Sequence, residues 1–194
     1  GPDQFVHVKC GHSRLLRRPI SICDWEENLL RIVFEVRGEG TEWLSRRKAG
    51  DRLDVLGPLG RGFRMDREGR YLRVGGGIGV PPMLGCAKWT AERSTAVLGF
   101  RSADRAMLSK DFQKSCKEIF LCSDDGSIGR HGFVDAQVRD ILEKDKDFTE
   151  VLACGPKPML KNVAAVAAGF GVPCQVSMEE RMACGVGACL GCAI

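Results

Sequence analysis

A change of rhythm near residue 70 constrains the fold of this chain more than any other feature. Beyond it, Tyr71-Leu72-Arg73-Val74 and the runs 96–100, 118–122 and 150–154 read as strands, and 83–93, 134–143 and 157–168 as helices. Strands that alternate with helices form a parallel sheet, because each crossover needs a long connection back to the same edge. Before residue 70 the pattern differs. The runs 5–8, 19–22, 29–36 and 52–56 are strand-like and separated by turn residues, with a Gly/Pro loop over 57–63. One short amphipathic helix, over 41–47, interrupts them and lets Trp43 and Leu44 face a core. The expected fold is therefore α/β plus β: an antiparallel β-barrel over 1–67, a Rossmann-like parallel α/β unit over 68–174, and a cysteine-bearing loop over 175–194.

Composition excludes several classes. Hydrophobic residues make up 44% and charged residues 28%, the balance of an ordinary globular chain. The net charge of +4 is small and its lysines and arginines are dispersed, which argues for solvated surface and against nucleic acid. Long uncharged stretches such as 163–178 contain Gly and Pro and do not make a membrane helix. Ten cysteines without a targeting segment point to the cytoplasm and to reduced thiols, those outside the C-terminal run serving as small core residues.

Cys184-Gly185-Val186-Gly187-Ala188-Cys189-Leu190-Gly191-Cys192 is a C-x4-C-x2-C run. Plant-type [2Fe–2S] loops use this spacing, and glycines let the backbone wrap the irons closely. Zinc is the weaker alternative, since it wants cysteine pairs or nearby histidines, and His7, His12 and His131 all lie elsewhere. Buried structural thiols are the third. A plant-type loop takes a fourth cysteine further on, and the chain stops first. It also starts without methionine, directly in a strand-like pattern, so truncation at both ends is expected.

Four other segments carry weaker signals. Gly75-Gly76-Gly77-Ile78-Gly79 lies between a strand and a helix, where bare N–H groups can cradle a pyrophosphate, or simply make a tight turn. Pro81-Pro82 suits the first helical turn. Cys154-Gly155-Pro156 ends a strand; its thiol can face a nicotinamide, or be a buried residue before a turn. Asp124 offers a carboxylate to a ribose, or belongs to a turn. In Arg17-Arg18-Pro19-Ile20-Ser21, Arg18 can pair with a diphosphate and Ser21 can hydrogen-bond a flat ring, or the segment is a plain strand edge. Gly38-Glu39-Gly40-Thr41 opens the short helix with N–H groups for a second phosphate contact.

Taken in order, Arg-Pro-Ile-Ser, Gly-Glu-Gly-Thr, Gly-Pro-Leu-Gly-x-Gly-Phe, Gly-Gly-Gly-Ile-Gly-Val-Pro-Pro, Cys-Gly-Pro-Lys-Pro-Met and Glu-Glu-Arg-Met-x-Cys-Gly span the whole chain. This series resembles the ferredoxin–NADP reductase superfamily, most closely the electron-transfer subunits of bacterial dihydroorotate dehydrogenase B. The resemblance implies FAD on the barrel, NAD(H) on the α/β unit and one [2Fe–2S] cluster on the loop. Arg18, Pro19, Ile20 and Ser21 would hold the flavin diphosphate and ring edge, with Glu35, Val36, Arg37, Gly40 and Thr41 completing the site. Gly75, Gly76, Gly77, Gly79, Asp124, Gly155 and Pro156 would seat the dinucleotide. Ser21 and Cys154 would stand at the reacting rings, and Cys184, Cys189 and Cys192 would ligate iron.

The implied activity is a relay between NAD(H) and the FMN of a dihydroorotate dehydrogenase catalytic subunit, in pyrimidine biosynthesis. The implied assembly is a heterotetramer with two copies of each, without nucleic acid or membrane, and with no orotate site on this chain. Two departures bear on these expectations. The fourth cluster cysteine is absent, and the barrel lacks its opening strands, which leaves an unpaired edge beside the FAD site. The same parts suit two other readings: the small subunit of an NADH-dependent ferredoxin:NADP oxidoreductase, with Arg101, Ser102 and Arg105 toward a 2′-phosphate, and a non-catalytic redox-sensing module.

Overall fold

In the computed structural model, which describes residues 2–11, 15–90 and 93–192, the strands divide between two sheets. The first is antiparallel and contains β1 (Phe5–Val8), β2 (Arg18–Glu26), β3 (Leu29–Ile32) and β4 (Val55–Leu59), in the order β3-β2-β1-β4. Phe5 stands opposite Ser21, and His7 opposite Pro19. Because side chains alternate across a strand, Val6 and Val8 share one face. There they pack with Ile20, Ile22 and Leu44, the last from α1 (Glu39–Ser45). The strand expected over 29–36 stops at Ile32, where pairing with β2 ends at Ile22 after a register shift. The strand expected over 52–56 runs later, taking in Gly57-Pro58 from the expected loop. Pro58 lacks an N–H, and β4 is an edge strand that spares it a full ladder.

The second sheet is wholly parallel, in the order β10-β9-β5-β6-β7-β8. Its strands are β5 (Tyr71–Gly76), β6 (Ser94–Phe100), β7 (Glu118–Ser123), β8 (Arg130–His131), β9 (Glu150–Cys154) and β10 (Cys174–Ser177). The helices expected in this half appear as α2 (Val80–Thr90), α4 (Val134–Lys144) and α5 (Lys157–Gly169), with α3 (Ser109–Ser115) in addition. α2 carries Pro81 and Pro82 in its first turn, as expected, where missing N–H groups cost nothing. Residues 91–92 of the expected helix lie outside the described residues. Cys174–Ser177 pair with β9, so the sheet reaches into the span expected to be loop.

Helices cover both faces of this sheet, which is why β5 is buried at every position. Leu72, Val74, Val97 and Val151 pack under α4 and α5, through Val138, Leu142 and Val163. Leu98 and Leu152 pack on the other side with Met83 and Leu84 of α2 and Phe112 of α3. No described helix is long and apolar enough to cross a membrane.

Several contacts among the described residues join the two halves. Gly85 of α2 lacks a Cβ where one would lie 2.9 Å from the Trp25 ring and 3.2 Å from the Cys23 carbonyl. The Gln175 amide exchanges two hydrogen bonds with the Arg64 backbone, at 3.0 and 2.9 Å. Lys88 Nζ donates to Asp24 Oδ2 at 2.5 Å, the carboxylate being nearly buried and the ammonium half-exposed. Asp24→Ala is expected to cost about 1–2 kcal/mol, between the values of exposed and buried pairs, read as a lower urea midpoint.

Candidate functional site

Parallel strands leave their C-terminal ends open between the flanking helices, and ligands collect there. A cavity of about 290 Å³ lies at that end, bounded by Gly76, Gly77, Arg101, Asp124, Pro156 and Met159. The backbone approaches closely because side chains are missing. At Gly76 a Cβ would lie 2.3 Å from Met159 Sδ, and at Gly79 one would lie 2.3 Å from the Cys154 carbonyl oxygen. Gly155 has φ +152° and packs on the Gly76 backbone. Of the residues expected to seat a dinucleotide, Gly76, Gly77, Asp124 and Pro156 line this cavity, while Gly75, Gly79 and Gly155 support its wall from behind. Sequence reasoning missed Gly99, Phe133 (68% exposed), Asp135 and Asn162, which also line it. Their only signal was position: Gly99 near the end of β6, Phe133 and Asp135 at the start of α4, and Asn162 in α5. Arg101 faces the cavity, whereas Ser102 donates to Asp104 at 2.5 Å and Arg105 pairs with Asp104 at 3.5 Å.

A second cavity, of about 260 Å³, lies between the two sheets. From the antiparallel side Pro19, Ile20, Ser21, Glu35, Arg37 and Thr41 line it; Ile78, Cys154 and Ser177 line it from the parallel side. Ser21 arrives there through the pairing of β2 with β1, and Cys154 through its place at the end of β9. Arg37 pairs with Glu35 at 2.6 Å, and the Thr41 hydroxyl accepts from the N–H groups of Arg37 (2.9 Å) and Gly38 (3.2 Å). Arg18 lies just outside, against the first turn of α1: a Cβ on Gly40 would meet its Nε at 2.6 Å. Val36 and Gly40 are also outside the lining, Val36 being 57% exposed and Gly40 buried against Arg18. Mostly apolar walls with a few aimed polar groups suit a flat ring with a charged tail.

Cys154 is 3% exposed, and burial pushes its thiol well above the ordinary range, so it is neutral. Ser177 and Asp3 line the cavity beside it. Asp3 was not anticipated. Burial raises its carboxyl to about 6, and its backbone sits at φ 61°, unusual for a non-glycine residue.

In the C-terminal run, Cys184 Sγ accepts the N–H of Cys189 at 3.4 Å and Cys189 Sγ accepts that of Gly191 at 3.5 Å. The Cys189 and Val186 N–H groups, in that order, hold the Cys184 thiol down at about 6. That sulfur is poised as a thiolate, the form that binds iron, so the donor chemistry at Cys184 fits a cluster ligand. Among the described residues no three ligating side chains converge on one point. Gly185, at φ +70°, packs on the buried His7 ring, where a Cβ would lie 2.7 Å from Cε1.

No family model matches the chain. The dihydroorotate dehydrogenase B (NAD(+)) electron transfer subunit of Caldanaerobacter subterraneus subsp. tengcongensis is 42% identical over 193 residues, covering 99% of this chain and 76% of that protein. Its counterpart from Geobacillus thermodenitrificans is 44% identical over 203 residues, covering 98% and 76%. Among solved structures, a chain of an NADH-dependent reduced ferredoxin-NADP oxidoreductase, described with flavin-based electron bifurcation, superimposes with a TM-score of 0.86 at 35% identity. It covers 98% of this chain and 70% of that one. The FAD/NAD binding domain of a nitric oxide dioxygenase from Vibrio cholerae shares the fold, with a TM-score of 0.72 at 19% identity, covering 91% and 84%. With two such relatives matched along nearly its whole length, the chain belongs to the family of electron transfer subunits of dihydroorotate dehydrogenase B (NAD(+)).

Proposed function

We propose that this chain passes electrons between NAD(H) and the FMN of a dihydroorotate dehydrogenase catalytic subunit, the redox link of that step in pyrimidine biosynthesis. The observation that carries the reading is the meeting of the two cavities: segments 76–78 and 154–156 each contribute lining to both. A dinucleotide in the strand-end cavity and a flat ring between the sheets would then be separated by little more than glycine backbone and the Cys154 thiol. Hydride transfer needs that short, fixed separation.

In this reading residues 1–67 form an FAD-binding barrel, 68–174 an NAD-binding unit and 175–194 the cluster loop. Bound FAD takes a hydride and releases electrons singly, and a [2Fe–2S] cluster accepts them singly. The chain's own residues bind and orient. Arg18 would face the flavin diphosphate, Ser21 would hydrogen-bond the ring edge, and Glu35, Arg37, Gly40 and Thr41 would complete that side. Gly76, Gly77 and Pro156 admit the nicotinamide end closely, Asp124 takes a ribose hydroxyl, and neutral Cys154 packs between the rings without repelling either. Cys184, Cys189 and Cys192 would hold the cluster iron. The partner is an FMN-containing catalytic subunit, in a heterotetramer with two of each.

The likeness to the ferredoxin-NADP oxidoreductase chain supports a second reading, the small subunit of such an enzyme, with the same cofactors and a different partner. The test is an anaerobic NADH titration of the flavin-loaded protein followed in the visible, then co-purification with candidate partners. Bleaching of flavin bands near one equivalent, with capture of an FMN-containing dihydroorotate dehydrogenase subunit, is expected. Flavin that does not bleach would sink the relay, and exclusive capture of the ferredoxin-NADP oxidoreductase partner would favour the second reading.

A further inference from the structure

A hydride is one proton and two electrons. When the two electrons move on to a one-electron acceptor, the proton stays behind and has to reach water. The inter-sheet cavity holds one group built to carry it. Asp3 lines that cavity beside Cys154 and Ser177, and also lines a separate, more open cavity of about 410 Å³ with Gly60, Arg61 and Gln175. It therefore stands in the wall between the enclosed space and an outer one. Ser177 lines both cavities with it and Cys154 lines the inner one, so the carboxyl, the hydroxyl and the thiol border one space.

The backbone there is held in place. Asp3 has φ 61°, and Gly62 presses so closely on the preceding residue that a Cβ would lie 2.0 Å from the Pro2 carbonyl oxygen. Backbone held in a sparsely populated region marks a position that the surroundings over-determine. The neighbouring ionisable groups do not neutralise the carboxyl. Cys86 on α2 and Cys154 on β9 are neutral thiols raised by burial. Glu35 is paired with Arg37, Glu180 with Lys157 at 2.5 Å, Glu179 is exposed, and Arg61 faces the outer cavity.

We infer that Asp3, acting through Ser177, is the proton-exchanging group of the inter-sheet cavity. Its carboxylate takes the proton left behind when two electrons depart singly and passes it to water in the outer cavity; in the reverse direction it returns that proton. This rests on the reading of the cavity as the flavin site. With its carboxyl raised to about 6 by burial, Asp3 exchanges protons readily near neutral pH.

The test uses flavin-loaded protein in stopped flow between pH 5 and 8, comparing reduction by NADH with reoxidation by ferricyanide. Reoxidation should rise through an apparent pKa near 6, where burial places the Asp3 carboxyl. Asp3→Asn, which tolerates the left-handed backbone, should slow reoxidation by about tenfold or more and flatten that profile. Reduction, in which the hydride brings its own proton, should change far less. Ser177→Ala should slow reoxidation in the same way with Asp3 intact.

A second readout needs no cofactor. Asp3 binds its proton more tightly folded than unfolded, so its contribution to stability is full below about 3.8 and lost as pH rises through about 6. Urea melts of the apoprotein should show that fall, and Asp3→Asn should remove it. Flavin-loaded Asp3→Asn that reoxidises with the rate and profile of the parent overturns the proton role. So does an apoprotein without the slope. Protein that takes up no flavin overturns instead the reading on which the inference rests.

Discussion

Gly79→Ala is expected to unfold the ligand-binding end of the parallel sheet and abolish NADH-dependent flavin reduction. Gly79 is buried, and a Cβ there would lie 2.3 Å from the Cys154 carbonyl oxygen, 2.5 Å from its carbon and 2.6 Å from the Gly155 nitrogen. All three are backbone atoms, so no side chain can swing aside. The loop would have to leave β9, and both cavities lose their common wall with it. Overpacking against backbone costs about 3 kcal/mol or more. In a chain of this size that lowers the melting midpoint by roughly 6–12 °C. Gly77→Ala is the informative control. It has φ +54° and nothing within 4 Å of its Cβ position, so only the left-handed backbone opposes alanine, at about 1–2 kcal/mol. Calorimetry of the two variants should separate them clearly, and equal melting points would show that the contact at Gly79 relaxes.

The second large effect concerns Cys154. Cys154→Ala should reduce the rate of flavin reduction by NADH about 10- to 100-fold while leaving bound flavin in place. The thiol lines the inter-sheet cavity, two residues before Pro156 of the strand-end cavity. Its loss opens a gap at the point where two rings would be positioned, and a misplacement near 1 Å can cost about 10²-fold in rate. Cys154→Ser keeps a small hydrogen-bonding group and should lose less. Stopped-flow absorbance gives the rate and the flavin spectrum gives the occupancy. An alanine variant that matches the parent rate would remove Cys154 from the chemistry.

What could be read from the sequence was whatever depends on near neighbours in the chain. Strand and helix in 71–168 follow from hydrophobic period, and Pro81-Pro82 at the start of α2 from the missing N–H groups of proline. The glycine loop, the Cys154-Gly155-Pro156 turn and the C-terminal cysteines were legible because their chemistry is local. β8 and β10 were not legible. They are short, and β10 is a strand only because β9 offers it a parallel edge.

The sequence by itself determined the two-part architecture and the family, through motifs whose order runs along the chain. Only the tertiary structure decided that the two cavities share a wall. It also set Asp3 from one end of the chain and Ser177 from the other against Cys154. Neither residue belongs to a motif. The raised Asp3 carboxyl and the shared lining arise from burial between two sheets, and burial depends on which strands lie side by side, a distance that separation along the chain does not encode.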